Sequence, residues 1–231
     1  MLLAVETVGR SATAVVVDAD GRELAWRDCQ GRETEAQLVI LLDELVRACG
    51  VPHAFAWAAG PGSFTGLRIG ALSMRTLAWL EDRPVHGVDS LAALAAERGD
   101  GLWWVLVPLK RDTTFHGLFR ITAGSLEPLA ATVAQADAGQ PLLHAATPGA
   151  VAIGPALALK PGLAERWCPG IRLGSAAVLS ARGVARLAPQ VPGLPWQQVL
   201  PAYLQASAPE LQRAARQAGQ PALAAPTPPQ G

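Results

Sequence analysis

The stretch from Gly60 to Gly70, GPGSFTGLRIG, constrains this chain more than any other. An apolar run from Ala54 to Ala59 leads into it and a helical pattern follows. Three glycines and one proline within Gly60–Gly66 are turn punctuation. Gly60 and Gly62 permit positive φ and close approach of another backbone, and Pro61 fixes its own φ. Ser63 or Thr65, flanking Phe64, can cap the free N–H groups of the following helix. The spacing predicts strand, tight turn and helix N-terminus in that order.

Such a corner can hold an anion, because the first helical turn directs unpaired N–H groups and partial positive charge at whatever sits there. It is not a Walker loop, since no Lys follows the last glycine, and the glycine spacing is not the dinucleotide fingerprint. A turn that only joins two packed elements is the competing reading. In the helix, Gly66, Gly70 and Ser73 fall on one face, beside an apolar stripe of Leu67, Ala71, Met74, Leu77 and Ala78. The small face is expected to point outward and admit a neighbouring helix or a partner subunit. Arg68 next to it either solvates the helix edge or pairs across such an interface.

At 231 residues and 50% hydrophobic, the chain can bury a core as one large domain or two small ones. Nineteen basic and nineteen acidic side chains balance, so it lacks the charge of a protein that grips nucleic acid unaided. No apolar run approaches the ~18 to 20 residues of a spanning helix, and Met1 to Val5 is interrupted by Glu6 with no basic region before it. Cys29, Cys49 and Cys168 fit neither a zinc nor a redox spacing, which suits a reduced, cytoplasmic protein. His53, His86, His116 and His144 form no i, i+4 pair and no metal cluster is indicated. Ser63 is not in a GxSxG nucleophile elbow.

In chain order, Leu2–Glu6, Ala12–Asp18 and Glu23–Cys29 read as three strands joined as hairpins, followed by a helix over Glu33–Cys49. Its Leu38, Leu41, Leu42, Leu45 and Cys49 make a core face, while Val39 and Ile40 fall outside it and hint at a docking surface. A strand over Phe55–Ala59, the central helix, a strand over Pro84–Val88 and a helix from Ser90 to about Arg98 complete a mixed, helix-covered sheet. The expected first domain is 1–99. A smaller second cycle, 102–205, has strands at Leu102–Leu109, Thr113–Ile121, after Ser125 and at Val151–Ile153, with helices over Thr132–Ala138 and Ser175–Leu187. Residues 206–231 form an Ala, Gln and Pro tail with little reason to order.

GPGSFTGLRIG, after a hairpin that opens AVET and with PAYLQ near the end, resembles the bacterial TsaB family, also called YeaZ. The resemblance implies the actin-like, sugar-kinase-like ATPase fold with two RNase H-like α/β domains. It implies a non-catalytic subunit that binds a TsaD-type catalytic paralogue, with a TsaE-type ATPase in the complex. That complex forms N6-threonylcarbamoyladenosine at position 37 of tRNAs reading codons that begin with A. ATP, a threonylcarbamoyl-adenylate donor and tRNA would enter through the complex, and a homodimer in isolation is left open. Helices carrying Val39, Ile40, Gly66, Arg68, Gly70 and Ser73 would form the interface.

The sequence departs from the family at several points. The usual Asp of the first strand is Glu6, the family's His near the first helix is Thr34, and its helix proline is Ile40. The second hairpin has Leu109-Lys110-Arg111 where aspartate, alanine and arginine are typical. Glu6 and Arg111 would mark a vestigial nucleotide cleft between the domains, without the hairpin carboxylate that holds magnesium or water. Glu6 is either a surviving catalytic acid facing that cleft or a carboxylate bonded to nearby backbone N–H groups. The alternative function is an ATP-dependent enzyme of the same fold, a small-molecule kinase or ATPase.

Overall fold

The computed structural model describes residues 1–9, 11–30, 34–139 and 147–203. The expected tail, 206–231, lies outside them. Strands β1 (Leu2–Glu6), β2 (Ser11–Val17) and β3 (Glu23–Gln30) form the expected antiparallel hairpins. Then come α1 (Thr34–Cys49), β4 (Ala54–Gly60), α2 (Phe64–Glu81), β5 (Val85–Asp89) and α3 (Ser90–Arg98). β4 runs parallel to β1 and β5 parallel to β4, which the helical crossovers α1 and α2 make possible. Asp89 caps α3 by accepting from Ala92 N, and its other oxygen accepts from Thr132 Oγ1.

The second cycle contains β6 (Gly101–Lys110), β7 (Thr113–Thr122), β8 (Ser125–Ala136), β9 (Val151–Ile153), α4 (Ala156–Leu159), α5 (Leu163–Trp167) and β10 (Arg172–Leu173). Its sheet order, β10-β9-β6-β7-β8, repeats the order β5-β4-β1-β2-β3 of the first sheet with the same parallel and antiparallel relations. Two expectations are corrected. Thr132–Ala138 is not a helix: Val133 and Gln135 pair with His116 and Thr114, so through Ala136 it is the end of a long strand, where cross-strand bonds override the helix propensity of its alanines. The helix expected from Ser175 is only α6 (Ala181–Leu187), because Ser180 caps it and Thr13 Oγ1 accepts from Ala181 N, fixing its start.

The end of the described chain returns to the first sheet. α6 packs on β1, β2 and β4 and against α3, and β11 (Gly193–Leu194) pairs antiparallel with β5 as a sixth strand. Residues 102–205, read as one unit from sequence, thus supply both the second sheet and the closing elements of the first. Gly183 allows α6 to meet α3, since a Cβ there would lie 2.1 Å from Ala93 O.

Strand register assigns the helices to faces. Ala14 pairs with Val5 and Arg27, and Val5 with Trp57, so these four side chains share one face. α1 lies there, with Glu44 bonded to Arg27, and so does α2, whose Gly70 abuts Trp57. Thr13 and Trp26 are on the opposite face, against α6, where Ala181 N donates to Thr13 and Arg182 stacks on Trp26. One hydrophobic core joins both sheets through α3 and α6. Trp104, Leu106 and Trp167 form a second cluster.

Candidate functional site

The corner has the predicted form. β4 ends at Gly60, Ser63 is the N-cap of α2, and its hydroxyl accepts from Gly66 N at 3.3 Å. Gly60 has φ of +124°, and a Cβ on it would lie 2.6 Å from Ala202 O. Pro61 is buried behind it. A Cβ on Gly62 would lie 2.4 Å from Val8 Cβ, and Ser63 N donates to Val8 O. The motif is therefore shaped by two neighbours, the Thr7–Gly9 loop after β1 and the chain near Ala202.

The small face of α2 is turned the other way from expectation. Gly66 and Gly70 are buried along with Leu67, Ala71, Met74 and Ala78. A Cβ on Gly66 would fall 1.9 Å from Thr7 O, and one on Gly70 would fall 2.6 Å from Thr7 Oγ1 and 3.3 Å from Trp57 Cε3. Thr7 Oγ1 donates to Gly66 O at 2.7 Å. The close approach inferred from small residues is real, but its partner is the chain's own first loop. Ser73 is half-buried and Arg68 exposed.

What α2 presents outward was not read from the sequence. Leu72 is 68% exposed and Trp79 60%, with Leu80 beside them. On α1, on the same sheet face, Val39 and Ile40 are exposed as expected, at 64% and 61%. The signal for the missed residues was available: Arg68, Leu72, Thr76 and Trp79 follow four, four and three apart, one helical stripe.

A cleft of about 630 Å³ opens between the sheets, lined by Val8, Gly9, Ser63 and the β6–β7 hairpin with Arg111, and closed by Lys160 and Val178. Its charged lining residues are Lys110, Arg111 and Lys160. Lys160 is engaged, donating to Asp137 Oδ2 at 2.6 Å and to Thr113 O and Thr114 Oγ1. Glu6 does not reach the cleft. Its Oε1 accepts from Val8 N at 2.6 Å and Gly9 N at 2.8 Å, while Oε2 is buried with no hydrogen-bond partner among the described residues. Burial, outweighing those two bonds, pushes its carboxyl from the ordinary 4.5 up to about 7. The carboxylate expected to face the cleft instead folds under the loop that lines it. Among the described residues no cluster of His, Cys, Asp or Glu could hold a metal ion, and no helix is long and apolar enough to cross a membrane.

Comparison with known proteins fits this geometry. Residues 30–103 match the family model described as TsaD, tRNA N6-adenosine threonylcarbamoyltransferase. The tRNA threonylcarbamoyladenosine biosynthesis protein TsaB of Bacillus subtilis is 43% identical over 72 residues, 30% of this chain and 31% of that protein. That of Haemophilus influenzae is 32% identical over 98 residues, 41% of each. The YeaZ structure from Pseudomonas aeruginosa superposes with a TM-score of 0.75 at 24% identity, covering 88% of this chain and 99% of that one. Over these matched regions the chain is similar to the TsaB/YeaZ family. Its fold is that of the YeaZ structure, two mixed α/β sheets covered by helices. The sequence matches themselves span less than half the length of these curated relatives.

Against the TsaB/YeaZ pattern, the departures noted in the sequence acquire positions. Ile40, standing for the family's helix proline, is an exposed apolar group on α1. Leu109-Lys110-Arg111 lines the cleft, with cations where the resemblance implied an aspartate. Glu6 keeps the acid of the first strand but spends it on the Val8 and Gly9 amides.

Proposed function

We propose that the protein is a non-catalytic partner subunit that binds and supports the TsaD-type catalytic subunit in forming N6-threonylcarbamoyladenosine at position 37 of tRNAs reading codons that begin with A. The observation that carries this reading is the outer face of α1 and α2. Val39, Ile40, Leu72, Trp79 and Leu80 are large apolar side chains left in water on one side of one sheet. Large exposed apolar faces mark association sites, and two helices of a partner laid on these two make a four-helix bundle. The interface is thus α1 with the outer stripe of α2; Gly66 and Gly70 serve it from inside by seating the helix.

The cleft supports the same reading. Phosphoryl transfer needs carboxylates to hold magnesium and orient the nucleophile. The charged cleft lining is basic, and Glu6 is engaged beneath it. ATP, the threonylcarbamoyl-adenylate donor, tRNA and a TsaE-type ATPase belong to the assembled complex, in the cytoplasm.

The test is size-exclusion and calorimetric titration with the catalytic subunit, together with ATPase assay of the isolated protein. Tight association and no appreciable hydrolysis are expected, with no tight tRNA binding at physiological salt. Turnover of even ~1 per second by the isolated chain would sink the partner reading in favour of the ATPase.

A further inference from the structure

At the N-terminal end of α2 the chain builds a stack. The rings of Tyr203 and Phe64 lie with centroids 4.7 Å apart at 31°, and the Arg68 guanidinium sits 4.2 Å from the Phe64 centroid. Tyr203 is brought there by a short strap, fastened where Ala202 N donates to Ala59 O at 2.8 Å over the space left by Gly60. Tyr203 is half-exposed and Arg68 exposed, so the stack is surface rather than core.

Arg68 has no carboxylate partner among the described residues. Among the described side chains of α1 the charges are already matched within the chain: Asp43 holds Arg47 at 2.8 Å and Glu44 holds Arg27 at 3.3 Å. A guanidinium laid on a ring keeps its N–H edges available and has little freedom left to lose when an acid arrives. Arg68 is one turn from Leu72 on the outer stripe, so this fixed cation borders the apolar face. The adjacent helix N-terminus adds positive potential of its own.

We propose that Arg68, held on the Phe64–Tyr203 stack, receives a carboxylate of the protein that docks on α1 and α2. The docking surface therefore continues from α2 onto the strap that carries Tyr203. The partner's matching surface is apolar with an acid at the end that meets the α2 N-terminus. This inference rests on the partner reading above and specifies the chemistry of that interface.

The experiment is calorimetric titration of the full chain with the catalytic subunit at about 0.05 and 0.5 M salt, where screening lengths differ severalfold. Wild type, Arg68→Ala, Arg68→Lys, Tyr203→Leu and Leu72→Asp are compared, with circular dichroism to confirm folding. Arg68→Ala should bind roughly ten- to a hundredfold more weakly and lose most of the salt dependence, Arg68→Lys should recover part of both, and Tyr203→Leu should lose a few-fold. If Leu72→Asp abolishes binding while Arg68→Ala keeps wild-type affinity and salt slope, the inference fails and the partner reading stands. If neither changes binding, both fail. If Arg68→Ala weakens only tRNA binding by the assembled complex, the group it meets is a phosphate and the inference is overturned.

Discussion

The two faces of α2 depart from the usual division of an amphipathic helix, with small residues among the buried ones and large apolar ones in water. Inside, Gly66, Gly70, Ala71 and Ala78 stand beside Leu67 and Met74; outside are Leu72, Trp79 and Leu80. Small residues toward the sheet let the helix axis sink until its backbone touches Thr7 and Trp57. Leu67 and Met74 fill the inner side next to these small residues, while Leu72, Trp79 and Leu80 stay mostly in water on the outer surface. A glycine stripe on a helix therefore signals close approach without saying to what. The location of the large apolar residues is the better guide to a missing partner.

Substitutions can break this contrast from either side. The largest effect is expected for Gly66→Leu, whose first side-chain carbon already overlaps Thr7 O. The clash is with backbone, which cannot swing aside, so the monomer should lose about 3 kcal/mol or more and be recovered mainly unfolded, as urea titration would show. Gly70→Leu should behave similarly through Thr7 and Trp57, so its damage to partner binding would follow from damage to the fold.

Next comes the loop on which the inner face rests. Glu6 is held protonated up to about pH 7 in the folded protein but ionises near 4.5 when unfolded. Between those values the folded state binds the extra proton, so stability falls as pH rises, by up to about 3 kcal/mol on passing pH 7. Asp89, raised by burial, contributes in the same direction. Glu6→Gln should flatten the stability profile between pH 5 and 8, as measured by chemical denaturation, and melt above wild type at pH 8. A wild type that gains stability over this range would show the carboxyl ionised and better solvated than its burial allows.

On the outer face, Leu72→Asp combined with Trp79→Ser should leave folding within about 0.5 kcal/mol of wild type. The same change should weaken association with the catalytic subunit by roughly a hundredfold, or about 2.7 kcal/mol, read by titration. The smallest effect belongs to the cap: Ser63→Ala removes the acceptor for Gly66 N and should cost about 1 kcal/mol in thermal unfolding, with partner affinity unchanged.

The strand and helix order through Arg98 was legible because each element carries its own period and its own punctuation, as Gly50 after α1 illustrates. Ser63 as cap and Val39 and Ile40 as exposed residues were legible for the same local reason. The orientation of Gly66 and Gly70 was not, since it depends on Thr7, which lies 59 residues away in sequence. Glu6 was placed at the correct strand end, yet its direction is set by the Val8 and Gly9 amides. The β8 pairing and the return of α6 depend on partners far along the chain, which no local pattern of alanines encodes. Tyr203 could be read only as part of a terminal motif; that it stacks on Phe64 is a fact of tertiary structure.

The two residues of β11 have a consequence for how this protein comes to be made. Leu194 pairs with Val85, and the entire second sheet lies between them in the chain. While the protein is being synthesised, β5 is an open sheet edge, its N–H and C=O groups available to any passing strand, until nearly the last described residues emerge. The same delay applies to α6, which closes the face opposite α1 and α2. The first sheet is thus opened before the second is made and closed only after it, so the nascent chain carries an aggregation-prone margin while the second sheet is synthesised.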